Sequence, residues 1–161
     1  AGGTNDALIL VDYDATGESG AHKQVLATKS EIGSTYGAAV NRKAGEVYVG
    51  AFLKRHVGLR ETGLSNPLGG IFVHDFTTGS NDIWLDLTSV GATVGTVSSN
   101  TTRGLGGTTT PTNDPETFPL IGKVGLGDMD ISTDNDTLFV VSLADKTVYA
   151  LSTSDKSLLR T

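Results

Sequence analysis

Apolar and polar positions alternate along the sequence in a pattern that recurs. An apolar strand followed by a polar turn rich in Thr and Ser occurs at residues 7–17, 69–79 and 146–156. Two strands joined by a polar turn occur at residues 36–52 and again at 127–142. A recurring order of short strands is typical of repeat architectures such as the β-propeller. The pattern therefore predicts an all-β chain made of propeller blades.

Combining the two patterns gives four strands per repeat, which we label A to D. The middle repeat is predicted at 36–41, 46–53, 70–76 and 82–87, the last at 128–132, 137–143, 147–151 and from 157 onwards, and the first has only C and D, at 7–13 and 23–28. A closed propeller needs about four to eight blades. Because the chain supplies about two and a half, we expect an incomplete ring, completed by the remainder of a parent chain, by a second chain or by self-association.

Two insertions interrupt the repeats. The first, residues 54–68, lengthens the connection between strands B and C of the middle repeat. The second, residues 89–122, is rich in Gly and Thr, and loops this long are commonly functional or disordered. The sequence thus divides into a half blade at 1–30, a blade at 31–88, a flexible insertion at 89–122 and a blade at 123–161.

Composition narrows the classes of partner. The net charge of −6 argues against nucleic acid, since nucleic-acid binding needs clustered positive charge. No apolar run approaches the roughly 20 residues of a membrane-spanning helix. The absence of cysteine excludes disulfides and thiolate metal ligands. The chain begins Ala-Gly-Gly without Met, as a processed secretory protein or a cut fragment would.

Three sequence runs resemble a known arrangement, namely EIGSTYGAAV at 31–40, YVGAFLKRH at 48–56 and VGLGDMDIS at 124–132. They are similar to the propeller-like region of large secreted or surface bacterial proteins that often carry SdrD B-like, immunoglobulin-type modules. The resemblance extends from about residue 7 to the end of the chain. It implies an extracellular or cell-surface location and a longer parent protein, in which adhesion or protein binding would be the role.

Two carboxylates form the first candidate site. Asp128 and Asp130 project to one face of a predicted strand, whereas Met129 and Ile131 project to the other, because side chains alternate with a period of two. Paired carboxylates can hold Ca²⁺ or shift each other's pKa for acid–base chemistry. They can also be plain solvated or turn-bonding residues. The middle repeat has Ala38 and Val40 at the matching places, so the carboxylates do not form a ring.

The second candidate site is the compact basic group at Lys54, Arg55 and His56, followed by Arg60. In an acidic protein, this group is a candidate for binding a carboxylate or sulfate of a partner, with Arg supplying a bidentate fork. The alternative is an ordinary surface loop, or an Arg held by an Asp of a neighbouring blade.

Motifs of enzymes are mostly missing from the sequence. There is no Gly-x-Ser-x-Gly elbow and no Walker loop, and Gly125-x-Gly127 lacks the third glycine of a dinucleotide fingerprint. We therefore expect a non-enzymatic extracellular scaffold or recognition surface, although enzymatic activity stays open. The alternative is a metal-dependent hydrolase or lactonase-like propeller with a divalent ion at Asp128 and Asp130. A proteolytic remnant with no separate function is a third hypothesis.

Overall fold

The structure is a computed structural model that describes residues 4–17, 22–105 and 112–161. These residues form strands joined by tight turns and short helical turns. The strands are β1 (Asp6–Val11), β2 (Lys23–Thr28), β3 (Thr35–Asn41), β4 (Glu46–Ala51), β5 (Gly70–Asp75), β6 (Ser80–Asp86), β7 (Leu126–Ile131), β8 (Thr137–Ser142), β9 (Thr147–Ser152) and β10 (Leu158–Arg160). One short helix, α1 (Lys29–Ile32), and 3₁₀ turns at Pro67–Gly69, Leu87–Val90 and Pro115–Thr117 complete the described elements.

The strands make three antiparallel sheets in chain order. The first sheet is the hairpin β1-β2, the second is β3-β4-β5-β6 and the third is β7-β8-β9-β10. None of these sheets closes into a barrel within the part of the chain that the structure describes. The all-β class and the strand positions predicted from the sequence are confirmed.

Polar residues fix the turns between the strands. In the β5–β6 turn, Asp75 Oδ1 accepts hydrogen bonds from the backbone N–H groups of Thr77 and Thr78, at 2.6 and 3.2 Å. These hydrogen bonds favour the ionised carboxylate and lower the pKa of Asp75. Gly79 completes the turn with φ of +71°, a conformation that suits glycine. The Thr-rich turns of the repeat are thus held by local side-chain to backbone bonds.

The second and third sheets pack against each other. Strands β3 and β7 come so close that a Cβ added at Gly37 would lie 2.6 Å from the carbonyl oxygen of Gly127. At Gly50, on β4, an added Cβ would lie 2.7 Å from Cε of Met129. Small residues on these strands therefore allow the two sheets to approach closely. Fully buried side chains on both sheets form the core, among them Tyr48, Phe72, Leu126, Leu138, Val140 and Leu151.

The first sheet joins the second through α1 and β6. Asn81, on β6, donates from Nδ2 to the carbonyl oxygen of Leu26 at 2.9 Å and to Oε1 of Glu31 at 3.0 Å. The other carboxylate oxygen of Glu31 accepts from the backbone N–H of Thr28 at 2.7 Å. Hydrogen bonds from Thr28 lower the pKa of Glu31, so it caps α1 as a carboxylate. The side chain of Glu31 thus stabilises both the helix and its contact with the second sheet.

Candidate functional site

The predicted carboxylate pair lies on β7 with the expected alternation. Asp128 and Asp130 are exposed, whereas Met129 between them is buried. Oδ1 of Asp128 accepts from the backbone N–H of Met129 at 3.0 Å, and Oδ1 of Asp130 accepts from that of Ile131 at 2.8 Å. Both carboxylates therefore keep a second oxygen that is free of hydrogen bonds from other described residues.

Two surface cavities border this pair. The larger, of about 360 Å³, lies between β3 and the end of β7, where Ala38, Val40 and Arg42 face Asp130 and Asn135. The smaller, of about 140 Å³, lies on the exposed face of the third sheet. It is lined by Phe139, Val141 and Val148 together with the two carboxylates and Met129. Asp130 thus lies at the boundary between the polar cleft and the apolar face, whereas Asp128 borders only the smaller cavity.

The described residues contain no cluster of three or more His, Asp or Glu side chains that could hold a metal ion. Ca²⁺ takes about six to eight oxygen ligands. Asp128 and Asp130 alone supply too few, so a calcium ion here would need ligands from water or from residues beyond those described. Calcium binding, and the hydrolase hypothesis built on it, stay predictions.

The four predicted basic residues do not converge on one site. Nζ of Lys54 donates to the carbonyl oxygen of Thr35 at 2.6 Å, and Nη2 of Arg55 donates to that of Asn113 at 2.8 Å. The backbone N–H of His56 donates to Oδ2 of Asp114 at 2.9 Å, and the residue has a left-handed φ of 63°.

Arg60 contacts both α1 and strand β5 of the same chain. Its Nη1 donates to the carbonyl oxygen of Glu31, and its guanidinium lies 5.8 Å from the centre of the Phe72 ring. Arg60 thus stabilises the first insertion, and anion binding by the basic group stays a prediction.

The two insertions form a layer that sequence reasoning missed. We call residues 54–68, 88–105 and 112–122 the loop layer. At its centre, Arg103 donates from Nε and Nη2 to Oδ1 and Oδ2 of Asp114, at 3.1 and 2.9 Å, with both side chains fully buried. Asp114 also accepts from the hydroxyl of Thr117 at 2.6 Å and from the backbone N–H of His56 at 2.9 Å. This is a structural ion pair inside the segment predicted to be flexible.

The protonation state of Asp114 follows from these contacts. Burial by itself raises the pKa of a carboxyl group, but the hydrogen bonds from Arg103, Thr117 and His56 outweigh burial and hold the pKa of Asp114 far below its usual value. Asp114 is therefore a carboxylate near neutral pH, and the pair with Arg103 carries no net charge into the interior.

A second contact in the loop layer imitates strand pairing. Asn100 donates from Nδ2 to the carbonyl oxygen of Leu59 at 2.7 Å and accepts at Oδ1 from the N–H of Leu59 at 3.0 Å. Its own backbone N–H donates to Oε1 of Glu61 at 2.7 Å. The side chain of one insertion thus satisfies the backbone of the other. Part of the predicted flexible insertion, residues 106–111, lies outside the described residues, and the mobility of the segment stays a prediction.

No helix in the described part of the chain combines the length and apolar character needed to span a membrane. This agrees with the expectation from the sequence on that one point.

Comparison with known proteins adds one relative. No family model matches the chain, and no solved structure matches it. Colossin-D of Dictyostelium discoideum is 30% identical over 145 residues, which cover 82% of this chain and 13% of Colossin-D. The chain therefore spans about an eighth of the length of the curated relative it matches. Fold and comparison together define an all-β protein of successive antiparallel sheets that is similar to a small part of a much longer protein.

Proposed function

We propose that the chain is a run of successive β-propeller blades that serves as a non-enzymatic scaffold or recognition surface in a larger protein. The observation that carries the proposal is the meeting of the second and third sheets. Each has four antiparallel strands in chain order, and their first strands, β3 and β7, lie side by side at Gly37 and Gly127. Propeller blades are four-stranded sheets arranged around a central channel, with one strand of each blade nearest the channel.

The first sheet fits this arrangement as the outer half of another blade. Its two strands occupy the C and D positions of the repeat, and α1 places them beside β6. On β3, Tyr36 is 64% exposed, and inner strands of that blade would cover it. Completion of this blade by the remainder of a parent chain, by a second chain or by another copy would bury this side chain.

The outer face of the third sheet supports completion at the other end. Val148 is 50% exposed there, beside Phe139 and Val141. A sheet with an uncovered apolar face is prone to associate, because burial of apolar area is favourable. We propose that a further blade covers this face. The match to only 13% of Colossin-D favours a longer parent as its source.

An extracellular or cell-surface location is part of the proposal and rests on the resemblance of residues 31–40, 48–56 and 124–132 to propeller-like regions of secreted and surface bacterial proteins. That resemblance also underlies adhesion or protein binding as the role. The acidic net charge of −6 is compatible with both and disfavours nucleic acid as a partner.

Limited proteolysis of the full-length product of the gene, followed by intact-mass measurement of the resistant core, tests the architecture. We expect a resistant core longer than this chain, because the exposed faces at its two ends are covered by further blades. A resistant core with the limits of this chain would contradict the proposal.

Sedimentation velocity of the isolated chain tests the exposed face. Association that increases with concentration is expected, and Val148→Lys is expected to reduce it, since a charge on the apolar face must be desolvated on burial. Ser154→Lys, at an exposed polar position, is the control for added charge. A wild-type chain that stays monomeric at every concentration would argue against uncovered blade faces.

A further inference from the structure

A cavity of about 250 Å³ lies between the beginning of β1, the helix α1 and the first insertion. Two lysines, Lys29 and Lys54, line it together with Ser34, and a single acidic residue, Asp6, also reaches it. Oδ2 of Asp6 accepts a hydrogen bond from Nζ of Lys23 at 2.6 Å, so that carboxylate already has a cationic partner. The lining therefore has an excess of positive charge.

Ser34 is the unusual member of this lining. The residue is 3% exposed, and its Oγ has no hydrogen-bond partner among the described residues. Buried hydroxyl groups are normally hydrogen-bonded, because loss of their bonds to water is unfavourable. The backbone holds Ser34 in place, since its carbonyl oxygen accepts from the N–H of Phe52 at 2.9 Å. Ser34 lines the cavity, and because its Oγ has almost no accessible surface, a ligand there would supply the missing acceptor only after rotation of the Ser34 side chain.

The two lysines have unused donors. Nζ of Lys54 makes one hydrogen bond, to the carbonyl oxygen of Thr35 at 2.6 Å, and an ammonium group has three N–H donors. The side chain of Lys29 makes no hydrogen bond or ion pair with any residue that the structure describes. Donors from two cations and one hydroxyl around a small space match the oxygen atoms of an anion.

We propose that this cavity binds a small oxyanion, a carboxylate or sulfate group, held by the ammonium groups of Lys29 and Lys54 and by a hydrogen bond from Oγ of Ser34. The site does not depend on the propeller proposal, because all of its residues lie within one described chain. The cavity differs from the basic group predicted from the sequence, because Lys54 is the one member of that group that lines it.

Titration followed by NMR tests the proposal. Acetate and sulfate are added to the ¹⁵N-labelled chain at constant ionic strength, with chloride as the balancing ion, and the backbone amide shifts of Ser34 and Thr35 are recorded. We expect saturable shifts. Ser34→Ala is expected to weaken binding about five- to tenfold, the value of one hydrogen bond, and Lys29→Ala to weaken it at least as much. Lys123→Ala removes the same charge at an exposed position elsewhere and is expected to leave binding unchanged.

Stability separates binding from folding. Because Oγ of Ser34 has no partner, Ser34→Ala is expected to leave the midpoint of urea unfolding unchanged or to raise it slightly. Three results would overturn the proposal: no saturable shift in the wild-type chain, wild-type affinity in Ser34→Ala or in Lys29→Ala, or a large loss of stability in Ser34→Ala, which would show that the hydroxyl has a partner in the protein.

The bound carboxylate or sulfate group can belong to a free anion, and a carboxylate can also belong to an acidic side chain of a partner protein. A blocked tripeptide, acetyl-Gly-Glu-Gly-amide, is titrated beside acetate to distinguish them. Tighter binding of the tripeptide assigns the site to a protein side chain, and tighter binding of acetate assigns it to a free anion. Both results retain the proposed site.

Discussion

Removal of the carboxylate of Asp114 is the perturbation for which the structure gives the sharpest expectation. Asp114→Ala deletes the two carboxylate acceptors of the Arg103 guanidinium, together with the bonds from Thr117 and from the N–H of His56. The guanidinium is left buried without a counter-ion. Breaking a buried ion pair by removing one partner costs about 3–5 kcal/mol, of which the unpaired charge is the main part.

The loss is measurable by urea unfolding and by thermal unfolding. In a domain of this size, 1 kcal/mol corresponds to roughly 2–4 °C in Tm, so we expect Tm to fall by roughly 6–20 °C. Lys43→Ala is the matched control. It breaks the exposed pair with Asp136 at 2.7 Å, and exposed pairs contribute about 0–1 kcal/mol.

A double variant separates the cost of the unpaired charge from the value of the pair. Arg103→Met/Asp114→Leu removes both charges, and apolar replacement of a whole buried pair is often neutral. The double variant should therefore be more stable than Asp114→Ala, although the N–H of His56 remains without its acceptor. A loss below about 1 kcal/mol in Asp114→Ala would refute the reasoning, because the buried pair would then not contribute as the geometry requires.

Three further results are expected. Gly37→Val should destabilise the fold by about 1–3 kcal/mol in urea unfolding, because its Cβ would lie 2.6 Å from the carbonyl oxygen of Gly127, whereas Ala38→Val at the exposed neighbouring position should be nearly neutral. Since folding lowers the pKa of Asp114, its ionised carboxylate contributes fully to the free energy of unfolding above about pH 5, and this contribution is lost as the pH falls through the unfolded and then the folded pKa. Between pH 6 and pH 3, the free energy of unfolding of Asp114→Asn should therefore fall less than that of the wild type. If Asp128 and Asp130 bind calcium, millimolar CaCl₂ should raise Tm in the wild type but not in Asp130→Asn; equal behaviour of the two chains would remove the basis for a metal-dependent activity.

The strands could be predicted from the sequence because their signals are local. Alternation such as Asp128, Met129 and Asp130 assigns faces within one strand, and Asp75 and Gly79 mark a turn within five residues. The predicted and observed strands therefore agree closely.

The loop layer could not be predicted for the opposite reason. Arg103 contacts the carbonyl oxygens of Lys54 and Val57, which lie 49 and 46 residues away, and no periodicity connects such positions. The sequence singled out Lys54 and its neighbours because basic residues cluster there. Arg103 stands alone in Gly- and Thr-rich surroundings, and Asp114 lies in a short acidic run with Glu116, so neither charge has a visible partner in the sequence. The anion cavity is similar, since Ser34 becomes unusual only when its burial is known.

The loop layer also determines how the molecule opens. Asn100 and Arg103 link the connection between β4 and β5 to the segment that leads into β7. The second and third sheets are therefore joined by their loops as well as by their core. The hairpin β1-β2 is joined mainly through Asn81 and α1, and most of β1 is exposed. Amide hydrogens of the hairpin should therefore exchange by a partial opening of low free energy. Those of β4 and β8 should exchange only when the two larger sheets unfold together as one cooperative unit.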